Sequence, residues 1–279
     1  MDRESAPTGS QSTAGADASA GERHYELDRS SGIAVFRITR PRRLNAITMP
    51  VLAGLEHCVD ELEAAGGRGL IVTAEGERAF CAGTDLAEMQ SMPDQAMLAK
   101  SRRARELFFR IQQARFVSVA AINGLALGGG LELALACTFR VAAAHATFGL
   151  PEIKLGVLPA YGGTQFLPPV VGPALALDLM LTGRTLDAQQ ALAAGLISRI
   201  AADAQAAFDE ARALLTQVNG YSNLAVDEIR RCVQAAAAGV TAAGLAVEDE
   251  AVRRCMTSAD AKEGVSAFLQ KRPARFNQG

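Results

Sequence analysis

Histidine is scarce in this 279-residue chain, and cysteine is scattered. His24, His57 and His145 do not cluster, so no metal site is expected. The five cysteines (Cys58, Cys81, Cys137, Cys232 and Cys255) form no CxxC pair and no metal-type spacing. An odd count without a signal peptide fits free thiols in a reducing cytosol, so a cytoplasmic protein is expected. No span of about 18 uncharged apolar residues exists, and no transmembrane helix or membrane partner is expected. An excess of one charge is lacking too: net charge is −2 and the pI about 6.0. That gives no electrostatic case for a nucleic-acid partner. Met1 to Glu22 is rich in Ser, Ala, Gly and Thr, with Met1 as its only large apolar side chain. It lacks the apolar middle of a signal peptide and reads as a disordered tail.

Apolar residues make up 49% of the chain, enough for a sizeable core. Ile33 to Thr39, Gly69 to Thr73, Val117 to Ile122 and Phe139 to Ala143 read as strands. Met49 to Ala65 carries Val51, Leu52, Leu55, Val59 and Leu62 at helical spacing, before Gly66-Gly67. Leu86 to Gln113 reads as helix with a weak point near Met92-Pro93. Leu131 to Cys137, Val171 to Thr182 and Asp187 to Ala194 read as further helices. Alanine-rich helices fill most of the chain after Ala202. The pattern predicts an α/β fold, with a tail over 1–22, a core over 23–200 and a helical region over 201–279.

The stretch NGLALGGGLELALAC, from Asn123 to Cys137, holds a single carboxylate, Glu132, between Leu131 and Leu133. A buried, unpaired carboxylate is costly. Glu132 therefore has a partner, reaches solvent, or faces a cavity that needs a carboxylate. The triplet Gly128-Gly129-Gly130 sits between a predicted strand and a predicted helix. Bare backbone at a helix N-terminus suits an oxyanion or phosphate; close helix–sheet packing would ask for the same small residues. No Gly-Lys-Ser/Thr follows, so it is not a P-loop. AFCAGTD, from Ala79 to Asp85, has a similar character or is an ordinary tight turn. Its Cys81 has no His-plus-acid arrangement to support a nucleophile and reads as a structural thiol. Glu152 follows Pro151 in FGLPEIKLG, where a proline and an acid also suit a first helical turn.

Taken in order, RPRRLNAIT, AFCAGTDLAEM, INGLALGGGLELALAC and FGLPEIKLGVLPAYGGTQFL strongly resemble the crotonase, or enoyl-CoA hydratase/isomerase, superfamily. The resemblance runs from about Tyr25 to about Phe276, including the closing AFLQKRPARF. It implies a spiral of ββα turns with a helical C-terminal region used for trimerisation, as a homotrimer or dimer of trimers. It implies an oxyanion hole made of the backbone N–H groups of Thr84 and Gly129. Glu132 and Glu152 would hold one water and act as general base and acid. Ala82, Asp85, Arg43 (with Arg42) and Lys271 (with Phe268) match positions near substrate or CoA in relatives. The implied partner is an acyl-CoA thioester, with no cofactor beyond the CoA of the substrate itself.

Two departures stand out. Where the family often reads Gly-Ala-Gly-Gly-Thr-Gln-Arg, this chain has the bulkier Tyr161 and Phe166. Thr84 is also not the commonest residue at its position in the family, and it adds a hydroxyl. The leading expectation is reversible syn addition of water to a 2-trans-enoyl-CoA. The alternatives are Δ3–Δ2 enoyl-CoA isomerisation, another acyl-CoA lyase reaction, or a non-catalytic acyl-CoA- or RNA-binding role.

Overall fold

The computed structural model describes residues 24–29, 32–236 and 239–276. The tail expected over 1–22 lies outside the described residues. The rest divides into two compact units, one up to Arg212 and one from Ala213.

The first unit grows from runs of β-branched and small apolar residues. Gly69–Ala74 (GLIVTA, β3) and Val117–Ile122 (VSVAAI, β5) are buried at every position. Continuous burial is what a parallel strand covered on both faces requires. With β1 (Tyr25–Asp28), β2 (Ala34–Ile38), β7 (Phe139–Ala143) and β10 (Arg199–Ala201) they form a six-stranded sheet, ordered β1-β2-β3-β5-β7-β10. Only the β1–β2 pair in it is antiparallel. A second sheet is built from strands of three residues each: β4 (Ala79–Cys81), β6 (Leu125–Leu127), β8 (Thr147–Gly149) and β9 (Thr185–Asp187), in that order.

The middle turns of the chain each give one strand to the first sheet, one to the second, and then a helix. Thus β3 and β4 lead to α2 (Leu86–Ser91) and α3 (Asp94–Gln113), and β5 and β6 lead to α4 (Gly129–Ala136). That is the expected spiral of ββα turns. The helix α1 (Met49–Ala64) buries Val51, Leu52, Leu55, Val59 and Leu62, the residues read from the 3.6-residue period. The break between α2 and α3 falls at Met92-Pro93, as expected. Short helices α5 (Gly163–Phe166), α6 (Pro168–Val171), α7 (Pro173–Thr182) and α8 (Ala188–Ala193) follow β8, and α9 (Ala204–Asn219) follows β10.

Side-chain amides pin the loops between the sheets. Asn45, fully buried at φ 54°, donates through Nδ2 to Glu75 O (3.0 Å) and Ala79 O (2.7 Å). Asn123 Nδ2 donates to Gly76 O (2.6 Å) and Ala79 O (3.1 Å). Three loops thereby converge on the start of β4, the strand that feeds the site.

The second unit contains α10 (Asn223–Ala235), α11 (Ala242–Met256) and α12 (Ala259–Leu269). Ser222, Thr241 and Ser258 cap these helices by accepting backbone N–H bonds. Glu228 is buried on α10, where Arg231 and Arg254 pair with it. Among the described residues, no helix is long and apolar enough to cross a membrane.

Candidate active site

Two glycine-bearing loops meet at the site. After β4 the chain bends at Gly83, where φ is 102°, and Thr84 is bridged to Ile47 in parallel. Ile47 N–H donates to Gly83 O (2.8 Å), and Asp85 N–H donates to Ile47 O (3.0 Å). A parallel bridge that uses the residues on either side of Thr84 turns Thr84's own N–H to the opposite side. The second loop is the triplet. Gly128 caps α4 without a side chain, so the N–H of Gly129 is among the uncapped donors of the first turn. The loops touch: a methyl on Gly83 would stand 3.2 Å from Gly129 N, and one on Gly129 would stand 3.6 Å from Gly83 Cα.

The two readings of the triplet divide among its residues. Gly130 is there for packing, since a Cβ on it would lie 2.1 Å from Cys81 O. Gly128 and Gly129 make room for side chains: a Cβ on them would lie 2.9 Å from Glu152 Oε1 and 2.8 Å from the Tyr161 ring.

Glu132 lies on α4 and is 1% exposed. Its Oε1 accepts from Tyr161 N (2.8 Å) and Gly163 N (2.7 Å). Gly163 must be glycine, because a Cβ there would come within 3.0 Å of this carboxylate. Burial pushes the Glu132 carboxyl up to about 7; the Gly163 amide opposes that shift, and the charge of Glu152 adds to it. Glu152 sits in a 3-10 turn, Pro151–Leu155, with Pro151 at its start. Its Oε1 lies 2.9 Å from where a Gly128 Cβ would be. Its Oε2 is buried with no partner among the described residues, and burial raises its carboxyl too. Two acids with raised proton affinity, one holding an unmet buried oxygen, form an arrangement suited to sharing and moving a proton.

Asp85 has a structural task. Its Oδ1 accepts from Ala87 N (3.1 Å) and Glu88 N (3.2 Å), capping α2, and its Oδ2 accepts from Arg40 (2.9 Å). Burial alone would raise its carboxyl, but the Glu88 amide and the Arg40 guanidinium outweigh this and hold it below the usual carboxylate range. Arg40 is itself buried and also donates to Ala46 O (2.9 Å). Removing one member of a buried pair strands the other. Arg40→Met is therefore expected to lower stability by about 3 kcal/mol, read as a lower urea midpoint with an unchanged slope.

Ala82 donates its N–H to Leu44 O (3.0 Å), which sets this strand beside the exposed turn Pro41–Arg43 carrying Arg42 and Arg43. Lys271 follows α12 in the second unit, exposed at φ 54°, and Phe268 is exposed there as well. Cys81 is buried, and burial pushes its thiol up to about 12, which suits the structural reading and not a nucleophile. Phe166 packs over Gly162, where φ is 118° and a Cβ would lie 2.4 Å from the ring.

The enoyl-CoA hydratase/isomerase family model matches residues 28–279. The chain belongs to that family. It is 33% identical over 251 residues to the crotonyl-CoA hydratase of Syntrophomonas wolfei, covering 90% of this chain and 96% of that one. It is 38% identical over 248 residues to a probable enoyl-CoA hydratase of Bacillus subtilis, covering 88% and 95%. The crystal structure of the enoyl-CoA hydratase from Bacillus anthracis superposes with a TM-score of 0.87 at 30% identity, covering 92% of this chain and all of that one. This enoyl-CoA hydratase/isomerase family member thus has the crotonase fold throughout both ββα spiral and C-terminal helices.

Sequence reasoning missed how Glu132 is held. Its partners are main-chain amides 29 and 31 residues further along, where only the Gly162-Gly163 pair hints at a backbone approach.

Proposed function

We propose that this protein is an enoyl-CoA hydratase, adding water reversibly and syn to a 2-trans-enoyl-CoA to give a 3-hydroxyacyl-CoA. The pairing of Glu132 with Glu152 carries the reading, and the names of the relatives above support it. The thioester oxygen would lie between the N–H groups of Thr84 and Gly129. As the water oxygen bonds to C3, the C2=C3 electron pair moves into an enolate whose oxygen gains charge. Donors fixed beforehand stabilise that charge without reorganising. One carboxylate takes a proton from the attacking water, and the other carboxyl delivers one to C2. The unmet Glu152 Oε2 is the acceptor such a water would use. Arg43, exposed and charged, is the contact for the CoA phosphates in this reading.

In the proposed mechanism the active pair holds one proton between its two carboxyls. With Glu152 ionised, the Glu132 carboxyl sits at about 7. Activity, measured as kcat/KM, is therefore expected to fall as pH rises through about 7, when that last proton is lost. It is expected to fall again on the acid side, when both groups are protonated. Glu152→Gln should cost roughly a hundredfold or more in kcat.

The direct test is mass-resolved turnover of a short 2-trans-enoyl-CoA beside its 3-enoyl isomer. Gain of one water by the 2-enoyl ester is expected. Conversion of the 3-enoyl ester to the 2-enoyl ester without water would make the protein an isomerase instead. A homotrimer or dimer of trimers is part of this reading. The outward apolar residues Ile229 and Val233 of α10 and Phe268 and Leu269 at the end of α12 support it. Sedimentation at micromolar concentration tests it.

A further inference from the structure

The hydration described above makes no use of the Tyr161 side chain, although that side chain is buried within the site at 4% exposure. Its ring lies against Gly129, where an added Cβ would come within 2.8 and 2.9 Å of Cδ2 and Cε2. Fully buried Phe108 of α3 packs edge-on to it at 5.9 Å. The Tyr161 hydroxyl donates to Thr84 Oγ1 (2.8 Å), while its main-chain N–H donates to Glu132 (2.8 Å). One residue thus touches both loops of the oxyanion hole and holds the acid. The ring is fixed by packing on two sides and by a hydrogen bond at its tip, so it cannot swing aside without breaking one of them.

We propose that the Tyr161 ring is a rigid wall beside C2 to C4 of the acyl group and restricts this site to acyl chains unbranched at C2 and C3. The inference rests on the acyl-CoA reading above. With the thioester oxygen at Thr84 and Gly129, and C2–C3 between the two carboxyls, the acyl segment runs along this ring. A flat, straight enoyl group lies along an aromatic face. A methyl at C2 or C3 has to displace a ring that is held at its tip and backed by Phe108. A pocket that rejects one methyl discriminates by about 10- to 200-fold.

The test is a binding titration with unreactive saturated thioesters: butyryl-CoA, 2-methylbutyryl-CoA and 3-methylbutyryl-CoA. The wild type is expected to bind the straight thioester at least about tenfold more tightly than either branched one. Tyr161→Phe keeps the wall, so it should keep that ratio while lowering kcat on a straight enoyl-CoA, because Thr84 loses its tie. Tyr161→Ala should bring the ratio close to one. If the alanine variant does not fold, Tyr161→Leu, which fills space but does not reach Thr84, should reduce the ratio instead. Equal binding of straight and branched thioesters by the wild type would overturn the proposal. So would a wild-type ratio in a folded alanine or leucine variant. Binding with this selectivity but no hydration of any enoyl-CoA would sink the hydratase reading and leave the wall standing.

Discussion

Glu132→Gln is expected to lose roughly a hundredfold or more in turnover while becoming more stable than the wild type at pH 8. Loss of activity follows from the proposed role, in which Glu132 gains and gives up a proton. The gain in stability follows from the raised carboxyl. In the unfolded chain an ordinary glutamate ionises near 4.5, whereas in the folded protein Glu132 holds its proton up to about 7. Between those values the folded state binds more protons than the unfolded state, so stability falls as pH rises through the window. Above about 7 the wild type carries the whole cost of a buried charge, and below 4.5 it carries none. Glutamine is neutral throughout, and its carbonyl oxygen can still accept from Tyr161 and Gly163. The variant's advantage should thus be small at pH 4.5 and about 3 kcal/mol at pH 8. Urea midpoints across that range measure it. A variant less stable than the wild type at pH 8 would show that Glu132 is not a strained carboxylate. Such an exchange of stability for activity is expected where a site needs a group its surroundings disfavour.

The sequence was informative wherever an element is long enough to show its own period. Val117–Ile122 and Gly69–Ala74 are apolar throughout, and Met49–Ala64 shows five buried positions at helical spacing. The second sheet left no such trace. Its strands β4, β6, β8 and β9 have three residues each, too few to alternate, and they exist because the spiral brings them side by side. The site divides the same way. Glu132, Glu152 and the glycines stand out because a lone acid among leucines and a bare backbone are locally odd. Asp85 did not reveal its task, because its partner Arg40 lies 45 residues away. Nor did Tyr161, whose hydroxyl meets Thr84 across 77 residues. Contacts of that kind leave no mark on the local pattern.

The adjacent glycines of α4 should respond in opposite ways, although both lie in one helical turn. Helix propensity alone favours alanine over glycine by about 1 kcal/mol and predicts that either replacement stabilises the protein. The packing says otherwise for Gly130. Its added Cβ would stand 2.1 Å from Cys81 O and 2.7 Å from Cys81 C, both main-chain atoms of β4 that no rotamer change can move. Helix and sheet must separate, opening a core that includes Leu131, Leu133 and Phe80. Gly130→Ala is expected to cost about 4 kcal/mol or more, the exceptional class for a single substitution, seen as a lost or much lowered urea transition. At Gly129 the obstacle is the edge of the Tyr161 ring, at 2.8 Å, which is a side chain. That ring can shift, but only by loosening its bond to Thr84 and crowding the space above the Gly129 N–H. Gly129→Ala should therefore still fold, with a melt lowered less than that of Gly130→Ala, and lose about a hundredfold in kcat, the effect expected of a disturbed oxyanion donor. Normal turnover by Gly129→Ala would remove this N–H from the oxyanion hole. Normal stability in Gly130→Ala would mean that α4 does not rest directly on β4.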